Sequence, residues 1–309
     1  MNKQLFIFLL IVVNGLTNLA AQDLKIFDLE YYEKDSTKSF AFVSLSEIYL
    51  LSENPDSLAI PNLKEKEIKE APNFTYFRLD STYRKRFLTE TNISETDKVF
   101  IYDYSINAFQ TFTVKNLKVV ACLNIYGAVW PYSQDDFMIG FEVNKNHLKG
   151  FDKYFTKSLA YVGKVNPFVR GQVKSITWKK IEPADYPSKE LPLYDTSYAG
   201  KCVTGDAYKF ELEGLEYFVQ DLVRLADNWV SVKRLIIIDL KTKETVCEKL
   251  FYSGESESFA PLDNQWTGRL FKNKSHVIFG FHYVSFGCPS ITFLNPTESD
   301  IYINCDNRH

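Results

Sequence analysis

The side chains best suited to holding a ligand lie in two tryptophan-centred stretches. One reads Ala128-Val-Trp130-Pro-Tyr132-Ser-Gln134-Asp135-Asp136, the other Leu262-Asp263-Asn264-Gln265-Trp266-Thr-Gly-Arg269. An indole face packs on the apolar C–H faces of a sugar or on a peptide, while neighbouring acids, amides and a guanidinium bond the polar groups. Trp130, Tyr132, Asp135, Asp136, Asp263, Asn264, Trp266 and Arg269 are therefore the candidate ligand-binding residues, for a glycan or a peptide. The competing expectation is that each Trp packs inward and its polar neighbours form a turn. Asp135-Asp136 is the most conspicuous acid pair. Adjacent strand residues face opposite ways, so as a pair they serve chelation or acid–base work only from a loop.

Other chemistry lacks its signature. The chain has no HExxH, GxSxG, Walker, GxGxxG or EF-hand pattern. His276 and His282 share a face of a regular strand but stand about 20 Å apart by strand rise, too far to share one metal. The five cysteines, Cys122, Cys202, Cys247, Cys288 and Cys305, form no CxxC pair and have no His at metal spacing. No metal and no cofactor is expected. A Ser-His-Asp site can be assembled from distant positions on any fold, so hydrolysis lacks a positive argument without being ruled out.

The elements that must position these residues are mostly strands. Short aromatic or β-branched runs recur at Val99–Tyr104, Phe109–Val114, Phe137–Val143, Leu159–Val162, Val173–Ile181, Leu235–Leu240, Val277–Phe286 and Ile291–Leu294. Asn, Asp, Gly, Ser and Pro bound them. Asp80-Ser81 is placed to cap a short helix with Tyr83, Phe87 and Leu88 on one side. The segment from Leu212 to Ala226 fits a helical face and strand alternation almost equally.

Composition excludes several classes. With 45% apolar and 24% charged residues, the chain is an ordinary globular one. A net charge of −3 supplies no electrostatic reason for a nucleic-acid partner. Lys3, the apolar run Leu5–Val13 and the small pair Ala20-Ala21 read as a secretory signal over residues 1–21, cleaved before Gln22. Nine apolar residues are too few to span a bilayer about 30 Å thick, and no later run approaches that length. The expected product is exported, periplasmic or extracellular, with no transmembrane segment after cleavage. In an oxidising compartment cysteines can pair. Cys288 and Cys305 flank a predicted hairpin that brings their ends together, so they are the expected disulfide. Cys122, inside an apolar run, reads as a small buried hydrophobe.

Two phrases repeat. Val99-Phe-Ile-Tyr-Asp103-Tyr-Ser-Ile-Asn107 and Leu235-Ile-Ile-Ile-Asp239-Leu-Lys-Thr-Lys243 both read as strand, Asp, turn. Each Asp precedes a Trp, Trp130 or Trp266, by the same interval, and a glycine-bearing strand follows, with Gly140 or Gly280. These phrases suggest two related modules, 22–181 and 193–309, within a single mainly β domain, 22–309, joined by the proline-rich connector 182–192. The phrases resemble hairpins of β-propeller blades. The resemblance implies a mainly antiparallel, β-propeller-like fold; the alternative is a twofold assembly of two antiparallel sheets with a few short helices. The expected function is that of an exported, non-catalytic binding or interaction module, against the alternatives of a glycan-active hydrolase and a structural envelope protein.

Overall fold

A computed structural model describes residues 24–35, 38–49, 59–61, 75–124, 132–254, 257–284 and 287–305. The signal segment 1–21 and Trp130 lie outside them. The chain runs through β1 (Ile26–Asp28), β2 (Glu30–Asp35), β3 (Lys38–Ser44), β4 (Tyr76–Arg78), β5 (Lys98–Asp103), β6 (Ala108–Thr113) and β7 (Lys118–Leu123). There follow β8 (Phe137–Val143), β9 (Ser158–Gly163), β10 (Val173–Ser175), β11 (Lys179–Ile181), β12 (Cys202–Leu212), β13 (Leu215–Arg224) and β14 (Val230–Asp239). The last strands are β15 (Thr245–Tyr252), β16 (Glu257–Phe259), β17 (Trp266–Gly268), β18 (Val277–Phe279), β19 (His282–Val284), β20 (Ser290–Phe293) and β21 (Ile301–Asn304). The fold is mainly antiparallel β. No described helix is long and apolar enough to cross a membrane.

Sheet order is β2-β3-β8-β7-β4, β11-β12-β13-β14-β15, the pair β16-β19, and a nine-stranded sheet β10-β17-β18-β20-β21-β1-β9-β5-β6. These orders are not a succession of four-stranded blades. The large sheet takes strands from both sides of the connector, and the parallel pair β1–β21 joins its two halves. The repeated phrases therefore do not mark separately built halves.

Strand alternation explains how the sheets stack. Phe27, Val99, Ile101 and Ala160 point from the β1-β9-β5-β6 half of the large sheet into one core. They meet Ala41, Val43, Val119, Ile139 and Phe141 of the first five-stranded sheet, and Phe87 and Leu88 of the helix Ser81–Glu90. Ile26, Phe100, Tyr102, Leu159 and Tyr161 point the other way. They pack on Trp266, Val277, Phe279, Ile291 and Phe293 from the second half of the same sheet. The large sheet thus curls until its halves face each other. Ile278 and Leu294 turn outward again onto Tyr217, Val219, Leu235, Ile237 and Phe251 of the second five-stranded sheet. Four β layers result, with three cores between them.

Local chemistry sets the details. Asp80 caps the helix, its carboxylate accepting from the Thr82 and Tyr83 N–H groups at 2.8 and 3.1 Å. The ambiguous segment is strand β13, because both of its faces are covered: Tyr217 and Val219 on one side, Phe218 and Leu222 on the other. A single-stripe helix buries only one face. The connector is a strap rather than a spacer. Tyr186 is buried on Phe218 and Ile236, and its hydroxyl donates to the Arg234 carbonyl at 3.0 Å.

The two aspartate turns do match each other. Asp103 Oδ1 accepts from the N–H groups of Ser105 and Ile106, and Asp239 Oδ1 from those of Lys241 and Thr242. Asn107 and Lys243, each four residues after its Asp, share positive φ values of 56° and 63°. Beyond the turn the surroundings diverge. A helix precedes β5 and a strand precedes β14. Gly140 lies inside β8, where a Cβ would meet the Val43 carbonyl oxygen at 1.9 Å; Gly280 lies after β18 with φ of +88°.

Candidate functional site

Trp266 is core, not a ligand platform. Only 7% of its surface is exposed, and Tyr104 packs edge-on at a ring separation of 5.0 Å. Its position in β17 faces the inter-layer core, which corrects the expectation of an open indole face. Asp263 and Arg269 are exposed on either side of it, and Asn264 is half-buried in the preceding turn, its N–H bonded to the Pro261 carbonyl. Tyr132 packs edge-on against Phe137 in the core of another layer. Asp136 closes its own turn, accepting from the Ser133 N–H at 2.6 Å and the Ser133 hydroxyl at 3.0 Å. Asp135 is exposed beside it. The described parts of the two stretches belong to different cores, Tyr132 to one and Trp266 to the other.

Cys288 and Cys305 are joined by a disulfide with Cα atoms 5.5 Å apart. Glu47 lies against it, accepting the Cys305 N–H at 3.1 Å. The paired sulfurs are no longer thiolates, so this cluster lacks the donor chemistry of a metal site. Cys122 is buried, and burial pushes its thiol well above the usual range.

A different region has the form of a binding site. A groove of about 860 Å³ runs where the open edge of β6 meets the first five-stranded sheet. Such a volume falls within the range of about 300–1,000 Å³ typical of clefts that bind small ligands. Its walls carry Lys34, Lys38, Lys118, Lys145, His147 and Glu142, the aromatic rings of Tyr76 and Phe112, and the polar stretch Gln110–Thr113. Each element brings its part. Lys34 and Lys38 flank the β2–β3 turn, Tyr76 opens β4, and Lys118 opens β7. Glu142 is the penultimate residue of β8, shortly before the 3₁₀ turn Lys145–His147.

Glu142 is the single carboxylate among the described lining residues, and it is fully engaged. Lys118 pairs with one oxygen, and the Tyr76 hydroxyl donates to the other at 2.5 Å. Burial pushes the Tyr76 phenol above its usual range, and Glu142 pushes it further the same way. Tyr76 therefore stays a neutral donor. Lys34 Nζ sits 3.9 Å over the Tyr76 ring, a cation–π contact that holds the ammonium at the groove wall. Lys145 donates to the Ser39 hydroxyl at 2.6 Å. With Lys118 balanced by Glu142, the described lining residues keep a positive excess from Lys34, Lys38 and Lys145.

A second concavity, of about 650 Å³, is bounded by Lys25, Asn92, Asp97, Tyr161 and Lys164. The buried Asp97 carboxylate there secures its own turn, accepting the Ser94 N–H at 2.8 Å. The groove along β6 is thus the better candidate. Sequence reading missed it because its charges are scattered from Lys34 to His147 and form no local cluster. Comparison with known protein families, curated proteins and solved structures finds nothing similar to this chain.

Proposed function

We propose that the chain is an exported binding protein whose β6 groove takes an anionic ligand. One observation carries the reading: a concavity of ligand size is lined, among the described residues, by four lysines and a single carboxylate, on a chain whose net charge is −3. A low local charge density would not need this segregation, and a lysine-lined cleft focuses the field on an incoming anion. Gln110, Thr111, Asn144 and Asn146 add hydrogen-bonding side chains, and Phe112 adds an apolar surface. The chemistry is that of recognition. A glycosidase would need two facing carboxyl groups about 5–10 Å apart, whereas Glu142 stands alone in the described lining and is neutralised.

Retention on immobilised heparin at pH 7.5 tests the reading, since an acidic protein has no bulk reason to be held. Wild type is expected to be retained at low salt and released as salt rises. Lys34→Glu/Lys145→Glu is expected to elute unretained. Equal retention of the two proteins, or none for wild type, would sink the idea. Export is supported by the apolar run Leu5–Val13 and the small residues after it. The mass of the exported protein should correspond to a chain beginning at Gln22; retained residues 1–21 would overturn that part.

A further inference from the structure

We infer that the ligand of the groove is an extended acidic peptide that adds to β6 as a tenth strand of the large sheet. The inference rests on the anion-binding reading above and goes further by naming the ligand's backbone as the recognised group.

The orientation of the β6 backbone follows from two hydrogen bonds. The Tyr104 N–H donates to the Lys157 carbonyl at 3.2 Å, so the even-numbered residues of β5 bond toward β9. The Val114 N–H donates to the Asp97 carbonyl at 2.9 Å, so the odd-numbered residues of β5 bond toward β6. Within β6, Ala108, Gln110 and Phe112 therefore face β5. Phe109, Thr111 and Thr113 direct their N–H and C=O groups away from the sheet, where no described residue bonds them. Arg170 donates to the Asn107 carbonyl at 3.1 Å and marks the hairpin end of this open row.

Proteins usually disarm such an edge with a charge, a proline or a bulge. The β6 sequence, Ala-Phe-Gln-Thr-Phe-Thr, has no charged residue and no proline. Its six pairs with β5 run without a register shift. The opposite edge of the same sheet, β10, has only three residues. The edge strand β15 carries Glu248 and Lys249, and its pairing with β14 is irregular. β6 is thus a regular, uncharged edge, and the lysines stand beside it, on the groove walls, rather than on it. An added strand would bond to Phe109, Thr111 and Thr113 while its alternate side chains meet Lys34, Lys38 and Lys145. Acidic side chains complement those lysines; basic ones are repelled.

The test uses an end-labelled eight-residue Thr-Glu repeat and the same peptide N-methylated at every residue, which keeps the charge and removes the backbone donors. The parent peptide is expected to bind and to slow amide exchange at Phe109, Thr111 and Thr113 at least tenfold. The methylated peptide is expected to bind at least tenfold more weakly. Thr111→Pro, which removes an outward N–H and leaves the β5 ladder intact, should lose the peptide and keep heparin retention. Three results overturn strand addition and leave anion binding standing: equal binding of both peptides, unchanged exchange in β6, or heparin retention without peptide binding. Failure to hold either heparin or peptide overturns both readings. If Thr111→Pro does not fold, the methylated peptide still decides.

Discussion

Asp28 shows how a single residue sets a pH dependence. It ends β1, and burial pushes its carboxyl up to about 6 from an ordinary 3.8, although the Leu29 N–H donates to it at 2.9 Å. A folded-state pKa above the unfolded one means the native state holds the proton more tightly. Asp28 is therefore neutral in its effect below about pH 4, and it erodes stability as pH rises through about 4 to 6. A shift of this size corresponds to a cost on the order of 2–3 kcal/mol at neutral pH. Asp28→Asn should raise the urea midpoint at pH 7.5 and leave it nearly unchanged at pH 3. A variant equally stable or weaker at pH 7.5 would show that the carboxylate is compensated. Trp266 illustrates a different residue-scale point. Its polar neighbours Asp263, Asn264 and Arg269 suggested a ligand site, but those residues are the turn and exposed positions around a buried indole.

Among elements, the two aspartate turns offer a controlled comparison. Both carboxylates accept two backbone N–H groups, and Asp103 also accepts the Ser105 hydroxyl at 2.7 Å. Asp103 is 1% exposed, whereas Asp239 is only half-buried, at a hairpin tip. Asp103→Ala should cost about 1.5–3 kcal/mol, the range for hydrogen bonds to a charged group. Asp239→Ala should cost clearly less, as seen by chemical denaturation of each variant; equal costs would show that burial is irrelevant to the turn. Backbone N–H groups of Thr242 and Lys241 hold the Asp239 carboxyl below its usual range. Its stabilisation is present above the unfolded pKa and is lost as pH falls through the folded one. The helix needs its own cap for the same electrostatic reason, and Asp80→Ala should cost about 1 kcal/mol.

At the scale of the whole molecule, the chain ends close the architecture. The parallel pairing of β1 with β21 makes one curled sheet out of two halves. The disulfide Cys288–Cys305 ties the end of β21 to the segment before β20. Its loop spans a separation of 17 residues, for which chain entropy predicts about 3 kcal/mol. Cys288→Ser/Cys305→Ser should lower the midpoint of unfolding by that order. A second, earlier transition would show that the second half of the sheet opens separately. A shift under about 0.5 kcal/mol would show that β21 is held by pairing alone.

What the sequence determined by itself is what depends on near neighbours. The strand runs at Val99–Tyr104, Phe137–Val143 and Leu235–Leu240, the cap at Asp80 and the turns at Asp103 and Asp239 all rest on residues within a few positions of one another. Side-chain alternation and carboxylate–N–H bonding act over that range, so they are legible in a string. Whether Leu212–Ala226 is helix or strand was decided by what covers it: two packed faces demand β13. Trp266 became core because β17 belongs to a sheet whose halves curl to face each other, and its indole points between them. The groove is the furthest from legibility. Lys34, Tyr76, Phe112, Glu142 and Lys145 share a wall only because β2, β4, β6 and β8 are brought together by pairing and stacking over long sequence separations. Burial and electrostatic fields are sums over neighbours in space, and only the tertiary structure supplies those neighbours.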